Sequence, residues 1–413
     1  MRRSAVTGDA QERVLGYDEA AAVVRSHAVR ARTASQECVP LLSAAGRVLA
    51  EDVATDRDQP PFARATRDGF ACRAEDLAQG PLRVMGQLRA GQAWAGGAIG
   101  PGEAVEIMTG AGVPEGADCV VMVEHVTSGA GHATLTGPRE LASGENVVPA
   151  GAEAKAGDVV VPAGRRLGAA EIAAVAACGA AEVAVFARPR VAILSTGDEL
   201  VEVGAAPLTH QIRNSNSYSL AAQVRGAGGE PVLFPIVADD AAATERAIAK
   251  ASERDLVLIT GGVSMGKFDF VEEALTELGA EFFFTGARIQ PGKPVVFGKL
   301  PGAYFFGLPG NPISTMVTFA LFAGPLLRAL GGEDDAGPRF VLARVDEEVR
   351  VKAGLTRFLP ARLESDVRGA RVRRIGWQGS GDLAAAARAN AFVVAPETAD
   401  ALQAGEIASV LLL

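Results

Sequence analysis

Between residues 188 and 332 the chain repeats one pattern: a short apolar run, a loop rich in glycine and hydroxyl groups, and then a helical run. The short runs are 191–194, 231–234, 256–259 and 304–306, and the helical ones are 217–225, 241–251, 270–278 and 314–330. This alternation predicts a parallel, doubly wound sheet, because a parallel strand needs a crossover long enough to hold a helix. Ligands of such sheets sit in the crevice beyond the carboxyl ends of the strands, and the polar motifs of this chain fall at those ends.

At 413 residues the chain exceeds the roughly 250–300 at which single cores stop growing, so two to four domains are expected. A helix spans 17–27, and the Ala-rich stretch 168–178 is a second, stopped by Gly179. From 39 to about 155, brief apolar runs such as Val105-Glu106-Ile107-Met108 and Cys119-Val120-Val121-Met122-Val123 alternate with Gly and Pro turns, as in a mostly β domain inserted into the chain. Beyond Gly337-Pro338 the pattern is again short and β-like. The expected division is a discontinuous N-terminal helical and linking domain (12–38 with 155–187), the insertion (39–154), the α/β domain (188–332) and a C-terminal β domain (333–413).

The formal charge is −9 and no block of Lys and Arg tracks a phosphate backbone, which argues against nucleic acid as a partner. Cys38, Cys72, Cys119 and Cys178 are widely spaced with no C-x-x-C pair, and the four histidines are equally scattered, so neither a disulfide framework nor a zinc site is expected. Polar residues follow Met1-Arg2-Arg3, and the apolar stretch 172–187 is broken by Gly179 and Glu182, so a cytoplasmic protein with no membrane partner is expected.

Four loops of the α/β region suit an anion. Ser195-Thr196-Gly197-Asp198-Glu199 offers hydroxyls for phosphate and Glu199 for a cation; an ordinary turn would use the same residues. In Thr260-Gly261-Gly262-Val263-Ser264-Met265-Gly266, backbone N–H groups can approach an anion with no Cβ in the way. Pro291-Gly292-Lys293-Pro294 and Leu308-Pro309-Gly310-Asn311-Pro312-Ile313-Ser314 are rigid loops, the second entering a helix whose N-terminus favours negative charge; Lys293 and Ser314 are natural oxyanion contacts. Asp239 and Asp269 can each cap a helix, yet with Glu199 they gather on one sheet edge, where oxygen ligands would hold Mg²⁺ against phosphates. In the insertion, Arg67-Asp68-Gly69-Phe70-Ala71 and Ile107-Met108-Thr109-Gly110-Ala111 read on spacing alone as turns.

Taken together and in order, Asp68 to Ala71, Ile107 to Ala111, Ser195 to Leu200, Asn214-Ser215-Asn216, Thr260 to Gly266, Pro291 to Pro294 and Gly307 to Pro312 resemble the molybdopterin molybdenumtransferases, the MoeA family that includes the C-terminal domain of gephyrin. The resemblance implies a multidomain α/β fold: a three-layer doubly wound pterin-binding domain, the mostly β insertion and a C-terminal β-barrel-like domain. It implies a reaction in which adenylylated molybdopterin and molybdate, with Mg²⁺, give molybdenum cofactor and AMP. The alternatives are a molybdopterin adenylyltransferase and a non-catalytic gephyrin-like scaffold.

Carried over by position, the catalytic residues fall on Asp68, Thr109, Glu199, Asp239 and Asp269, and the metal ligands on Glu199, Asp239 and Asp269. The molybdopterin contacts fall on Ser195, Thr196, Gly197, Asp198, Asn214, Asn216, Gly261, Gly262, Val263, Ser264, Lys293, Pro309, Gly310, Asn311, Pro312 and Ser314. The resemblance further implies a homodimer with Asp68 and Thr109 acting across the interface, an upstream molybdopterin adenylyltransferase, and downstream molybdoenzymes or cofactor carriers. The chain departs from the family pattern at Thr66-Arg67, at Lys267, and at Asn146 to Glu153, which lacks the usual arginines. It departs also at Gln290, where Arg288 is near enough in sequence to substitute a charge.

Overall fold

A computed structural model of the chain describes residues 13–31, 35–137, 140–262 and 270–413. The α/β domain holds a six-stranded sheet in the order Glu230–Leu233, Arg190–Ser195, Leu256–Thr260, Tyr304–Leu308, Val296–Lys299, Glu281–Phe284. The first four strands are parallel. Val296–Lys299 alone runs against the others, antiparallel to both Tyr304–Leu308 and Glu281–Phe284, an addition to the parallel strands read in the sequence. The reason is chain length: only residues 300–303 separate Val296–Lys299 from Tyr304–Leu308, far too few for a crossover.

Alternation along the strands makes three layers. Val191, Ile193, Leu256, Leu258, Phe306 and Leu308 face one core, under helices Tyr17–Ala28, Ser215–Gly226 and the continuous helix of 312–330. Ala192, Leu194, Val257, Ile259 and Phe305 face the other, under Ala241–Ala251 and Phe270–Glu277. Both faces are covered, so these strands are near-continuous hydrophobic runs. Truncating the fully buried Phe306 or Phe322 to alanine would cost about 3–5 kcal/mol. Pro312–Leu330 is long and apolar enough to cross a membrane, yet 89% of it is buried inside the protein, where it forms the centre of the larger core.

Strand Gln36–Pro40 pairs with Glu182–Phe186, and Val53–Ala54 with Val159–Val161, so the chain leaves this small module and returns to it. Its core is Ala44, Leu49, Val161, Leu167, Val175, Val183 and Val185, while helix Tyr17–Ala28 packs on the α/β sheet. Between the two visits lies the insertion, a six-stranded sheet ordered Cys119–Met122, Gly69–Cys72, Glu103–Ile107, Leu82–Leu88, His132–Leu135, Val126–Gly129 with apolar clusters on both faces. It brings Cys72 opposite Cys119 with free thiols 3.8 Å apart, a proximity their spacing does not suggest.

At the C-terminus, Thr356–Asp366, Gly369–Arg374, Phe340–Val345, Ile407–Leu412 and Ala391–Ala395 follow one another in a sheet. Pairing of Ala391–Ala395 back onto Thr356–Asp366 closes a five-stranded barrel, as expected. Closure removes the sheet edges that would otherwise stay unpaired.

Candidate functional site

In the sheet order, the chain moves outward in opposite directions from Arg190–Ser195 and Leu256–Thr260, which makes the gap between them a topological switch point. A cleft of about 580 Å³ opens beyond their carboxyl ends. Its walls are Ser195, Thr196, Glu199, Asn214, Asn216, Thr260, Gly261, Gly310, Asn311 and Pro312, together with Pro207, Gln211 and Arg213 of an outer loop. Strand Leu200–Val201, paired in parallel with Ile212–Arg213, holds that outer loop in place.

The floor is a hydrogen-bonded knot of buried side chains. Asn214 caps helix Ser215–Gly226 by accepting from the Ser217 amide at 3.2 Å, its Nδ2 donates to Ser217 Oγ at 3.0 Å, and Ser195 Oγ donates to Asn214 Oδ1 at 3.2 Å. Asn216, two residues further on, donates from Nδ2 to Gly310 O at 2.7 Å and to Thr260 Oγ1 at 2.9 Å. Three loops that are far apart in sequence are thereby fixed to one another. Two buried polar atoms of this cleft, Thr196 Oγ1 and Asn216 Oδ1, have no hydrogen-bond partner among the described residues. An unpaired buried polar atom is costly, and a bound ligand that supplies donors relieves the cost.

Gly261 has φ +89°, and a Cβ there would lie 2.5 Å from the Thr196 carbonyl oxygen; only glycine lets the two strand ends approach so closely. Gly310 sits against Gly261 in turn. The N-terminus of the 312–330 helix is less open to anions than its sequence suggests. Pro312 has no N–H, and the Ile313 amide donates to Ser380 O of the C-terminal domain at 2.9 Å. Gly381 and Leu383 of that same loop complete the cleft wall. Sequence reasoning missed this contribution; its one local signal is the Gly379-Ser380-Gly381-Asp382 turn, in which Asp382 caps a short helix.

The acidic residues lie on two adjacent loops. Val237 bonds reciprocally with Ser195 and Gly197 through the backbone, which lays segment 237–239 beside 195–198. Asp239 Oδ2 then accepts from the Asp198 amide at 3.5 Å, and Asp198 Oδ1 from the Asp239 amide at 3.2 Å. Helix Ala241–Ala251 is capped by Asp240, which accepts from the Ala243 amide at 2.7 Å, so Asp239 does not cap it. The Glu199 carboxylate folds back over Gly197. Asp269, Val263 and Ser264 lie outside the described residues, as does Lys267. Among the described residues no cluster of three metal-ligating side chains forms.

Of the other expected residues, Lys293 is exposed and Ser314 buried, and neither is among the residues lining the cleft; Pro309 contributes its carbonyl to Thr315 Oγ1 at 2.5 Å. Arg288 pairs with Glu397 of the barrel at 3.3 Å, so its charge is already engaged. Asp68 and Thr109 form a tight pair on the insertion: Asp68 Oδ1 accepts from both the Thr109 hydroxyl and the Thr109 amide at 2.6 Å. The hydroxyl bond first, and the amide bond second, hold the Asp68 carboxyl below the usual carboxylate range. This pair does not line the cleft of its own chain. Asn146 adopts φ +61°, donates to Val120 O at 2.9 Å and accepts from the Thr66 amide, which fixes the turn beside Arg67 and Asp68.

A doubly wound domain with a polar cleft at its switch point, carrying a β insertion and a terminal barrel, defines a class of multidomain α/β ligand-binding enzymes. Three sequence families match in succession: the MoeA N-terminal region (domain I and II) over 15–179, a "Probable molybdopterin binding domain" over 192–329, and the MoeA C-terminal region (domain IV) over 343–413. The molybdopterin molybdenumtransferase of a Nostoc species is 39% identical over 325 residues, 76% of this chain and 74% of its own. That of Haemophilus influenzae is 35% identical over 382 residues, 91% of this chain and 93% of its own. A crystal structure of the molybdopterin biosynthesis MoeA protein of Pyrococcus horikoshii superposes with a TM-score of 0.72 at 35% identity, covering 97% of this chain and 99% of that one. The chain belongs to the molybdopterin molybdenumtransferase family, the MoeA proteins, and so to the enzymes of molybdenum cofactor biosynthesis.

Proposed function

We propose that this chain inserts molybdenum from molybdate into adenylylated molybdopterin, releasing AMP and forming molybdenum cofactor. The observation that carries the reading is the cleft at the switch point, where three loops joined through Asn216 surround two buried polar atoms that have no partner among the described residues. Backbone groups around Gly261 and Gly310 and the Thr196 hydroxyl suit a phosphate-bearing pterin, while Ser195 and Thr260 brace the cleft through their bonds to Asn214 and Asn216. The names of the relatives supply the reaction class.

Glu199 and Asp239, with Asp269 following the glycine-rich loop, are the residues that would hold Mg²⁺. The fit is chemical: Mg²⁺ commonly takes one or two protein carboxylates and completes its octahedron with water and substrate phosphates, so a closed protein cage is not required. Bound there it would offset the negative charge of the phosphoanhydride. The chain's own part is to orient that anhydride so that water forms a P–O bond as the bond to the AMP oxygen breaks, with the proton of the water passing to a nearby carboxylate. Lys293 and Ser314 are proposed to steady molybdate. We assign the chain to the cytoplasm, as a homodimer in which Asp68 and Thr109 of one subunit serve the cleft of the other. An adenylyltransferase supplies its substrate, and molybdoenzymes or cofactor carriers take its product.

The test is AMP release from adenylylated molybdopterin with Mg²⁺, with and without molybdate. Molybdate-dependent release accompanied by cofactor formation is expected. ATP-dependent adenylylation that ignores molybdate would instead make the chain an adenylyltransferase, and binding without turnover under any metal condition would make it a scaffold.

A further inference from the structure

The insertion carries a second cleft, of about 570 Å³, that the transferase reading does not use. Its walls are Phe62, Trp94, Val113 and Pro114, with Gln92 and Glu115 at the polar positions. The volume lies in the range of small-molecule sites, and aromatic walls with few polar groups are their usual lining.

Both rings lie against glycine. Gly96 lies so close to the Trp94 ring that no Cβ fits between them, and Gly86 touches the same ring at 3.2 Å from its ideal Cβ. The indole N–H is already satisfied by Gly97 O at 2.8 Å, so Trp94 offers this cleft apolar ring surface and no free donor. Phe62 rests on Gly112, 3.3 Å from the Cβ position there, and is 47% exposed. Aromatic side chains have only two rotatable bonds, so each loses little conformational freedom when a flat ligand stacks on it.

The charge pattern narrows the ligand. Glu115 is the one ionisable residue of the lining, so the cleft disfavours anions and suits a neutral ring that carries N–H donors. Its position narrows it further. Gly112 follows Thr109 by three residues, which places their Cα atoms within about 10 Å, and Thr109 is bonded to Asp68. The Gly112 wall of the cleft and the carboxylate–hydroxyl pair therefore lie near one another on the insertion.

We propose that the Phe62–Trp94 cleft stacks a planar, uncharged, amino-substituted nitrogen heterocycle belonging to the substrate, with Glu115 accepting from its amino group. Both parts of an adenylylated pterin substrate carry this chemistry, the adenine and the pterin. The inference rests on the proposed function for the source of the ring, but the stacking site is testable without turnover.

The experiment is calorimetric titration of the full chain with adenosine and, separately, with unsubstituted pterin, comparing the wild type with Phe62→Ala, Trp94→Ala and Phe62→Tyr. At least one heterocycle should bind, the two alanine variants should each weaken it by about tenfold, and Phe62→Tyr should restore binding, as aromatic stacking predicts. Adenosine alone binding would assign the cleft to the nucleotide, and pterin alone would assign it to the pterin. No binding by either, or binding unchanged in both alanine variants with unaltered circular dichroism, overturns the proposal. If AMP release is normal but no heterocycle binds, the stacking site fails and the transferase reading stands. If a heterocycle binds through Phe62 but release never occurs, the reverse holds.

Discussion

Asn216 is the side chain on which the cleft depends, and its replacement is a direct test of how the site is built. Its Nδ2 donates to Gly310 O and to Thr260 Oγ1, tying the loop after strand Tyr304–Leu308 and the end of strand Leu256–Thr260 to the first turn of helix Ser215–Gly226. Each intramolecular hydrogen bond is worth about 0.5–1.5 kcal/mol net. In Asn216→Ala, water can reach Gly310 O, so that half of the loss is softened, and the total should be about 1–2 kcal/mol. For a unit of this size that corresponds to a fall in melting temperature of about 2–8 °C.

Asn216→Asp separates hydrogen bonding from shape. The side chain is nearly isosteric, but both donors are gone and a carboxylate faces the Gly310 carbonyl, so the variant should be at least as unstable as alanine. It also places negative charge in a cleft proposed to receive phosphate, so it should bind molybdopterin more weakly than Asn216→Ala does. Thermal unfolding by circular dichroism gives the first quantity and equilibrium titration with molybdopterin the second. A melting temperature within 1 °C of wild type for both variants, or aspartate binding as well as alanine, would refute the view that Asn216 acts as a donor linking three loops.

Gly261→Ala should destabilise the α/β domain by about 1–3 kcal/mol and abolish molybdopterin binding, since φ +89° and the Thr196 carbonyl both oppose a Cβ; near-wild-type unfolding and binding would count against the close approach. Thr109→Val removes the hydroxyl bond that most lowers the Asp68 carboxyl. The depressed carboxyl keeps its charge until pH falls through its lowered value, so the variant should lose activity on acidification at a higher pH than wild type; superimposable acid limbs in the rate profile would remove Asp68 from the ionisations that matter. Mixed dimers of Asp68→Ala and Glu199→Ala subunits, each inactive alone, should recover part of the activity, and verified mixed dimers that stay inactive would place both residues in one subunit's site.

The strands at the centre of the α/β sheet were legible because they are buried on both faces and bounded by glycine loops; 191–194, 256–259 and 304–306 all fall inside observed strands. The two outer strands Val296–Lys299 and Glu281–Phe284 were not. Both lie between turn residues, Gly279 and Gly286 around Glu281–Phe284 and Pro294 and Pro301 around Val296–Lys299, but neither is followed by a helical run, so the strand–loop–helix repeat passes over them. Asp239 and Asp240 show a finer limit. Two adjacent acids before an apolar run both fit a cap, and the choice depends on where the first turn closes, which Asp240 settles by bonding to the Ala243 amide. The Cys72–Cys119 contact depends entirely on strand register, 47 residues apart in the chain.

The same contrast governs the site. Ser195, Thr196, Asn214, Asn216, Gly261 and Gly310 converge because each stands at the carboxyl end of a strand or at the start of the helix that follows, and the sheet itself brings such ends together. Asp68 and Thr109 have no such constraint. Their pairing follows from the antiparallel register that sets Gly69 opposite Ile107, a property of the insertion alone. Where the insertion faces a cleft is decided by a surface outside its own sheet. The proposed dimer resolves this economically, because one assembly step would bring both the Asp68–Thr109 pair and the Phe62–Trp94 cleft to a phosphate site that the α/β domain builds without them.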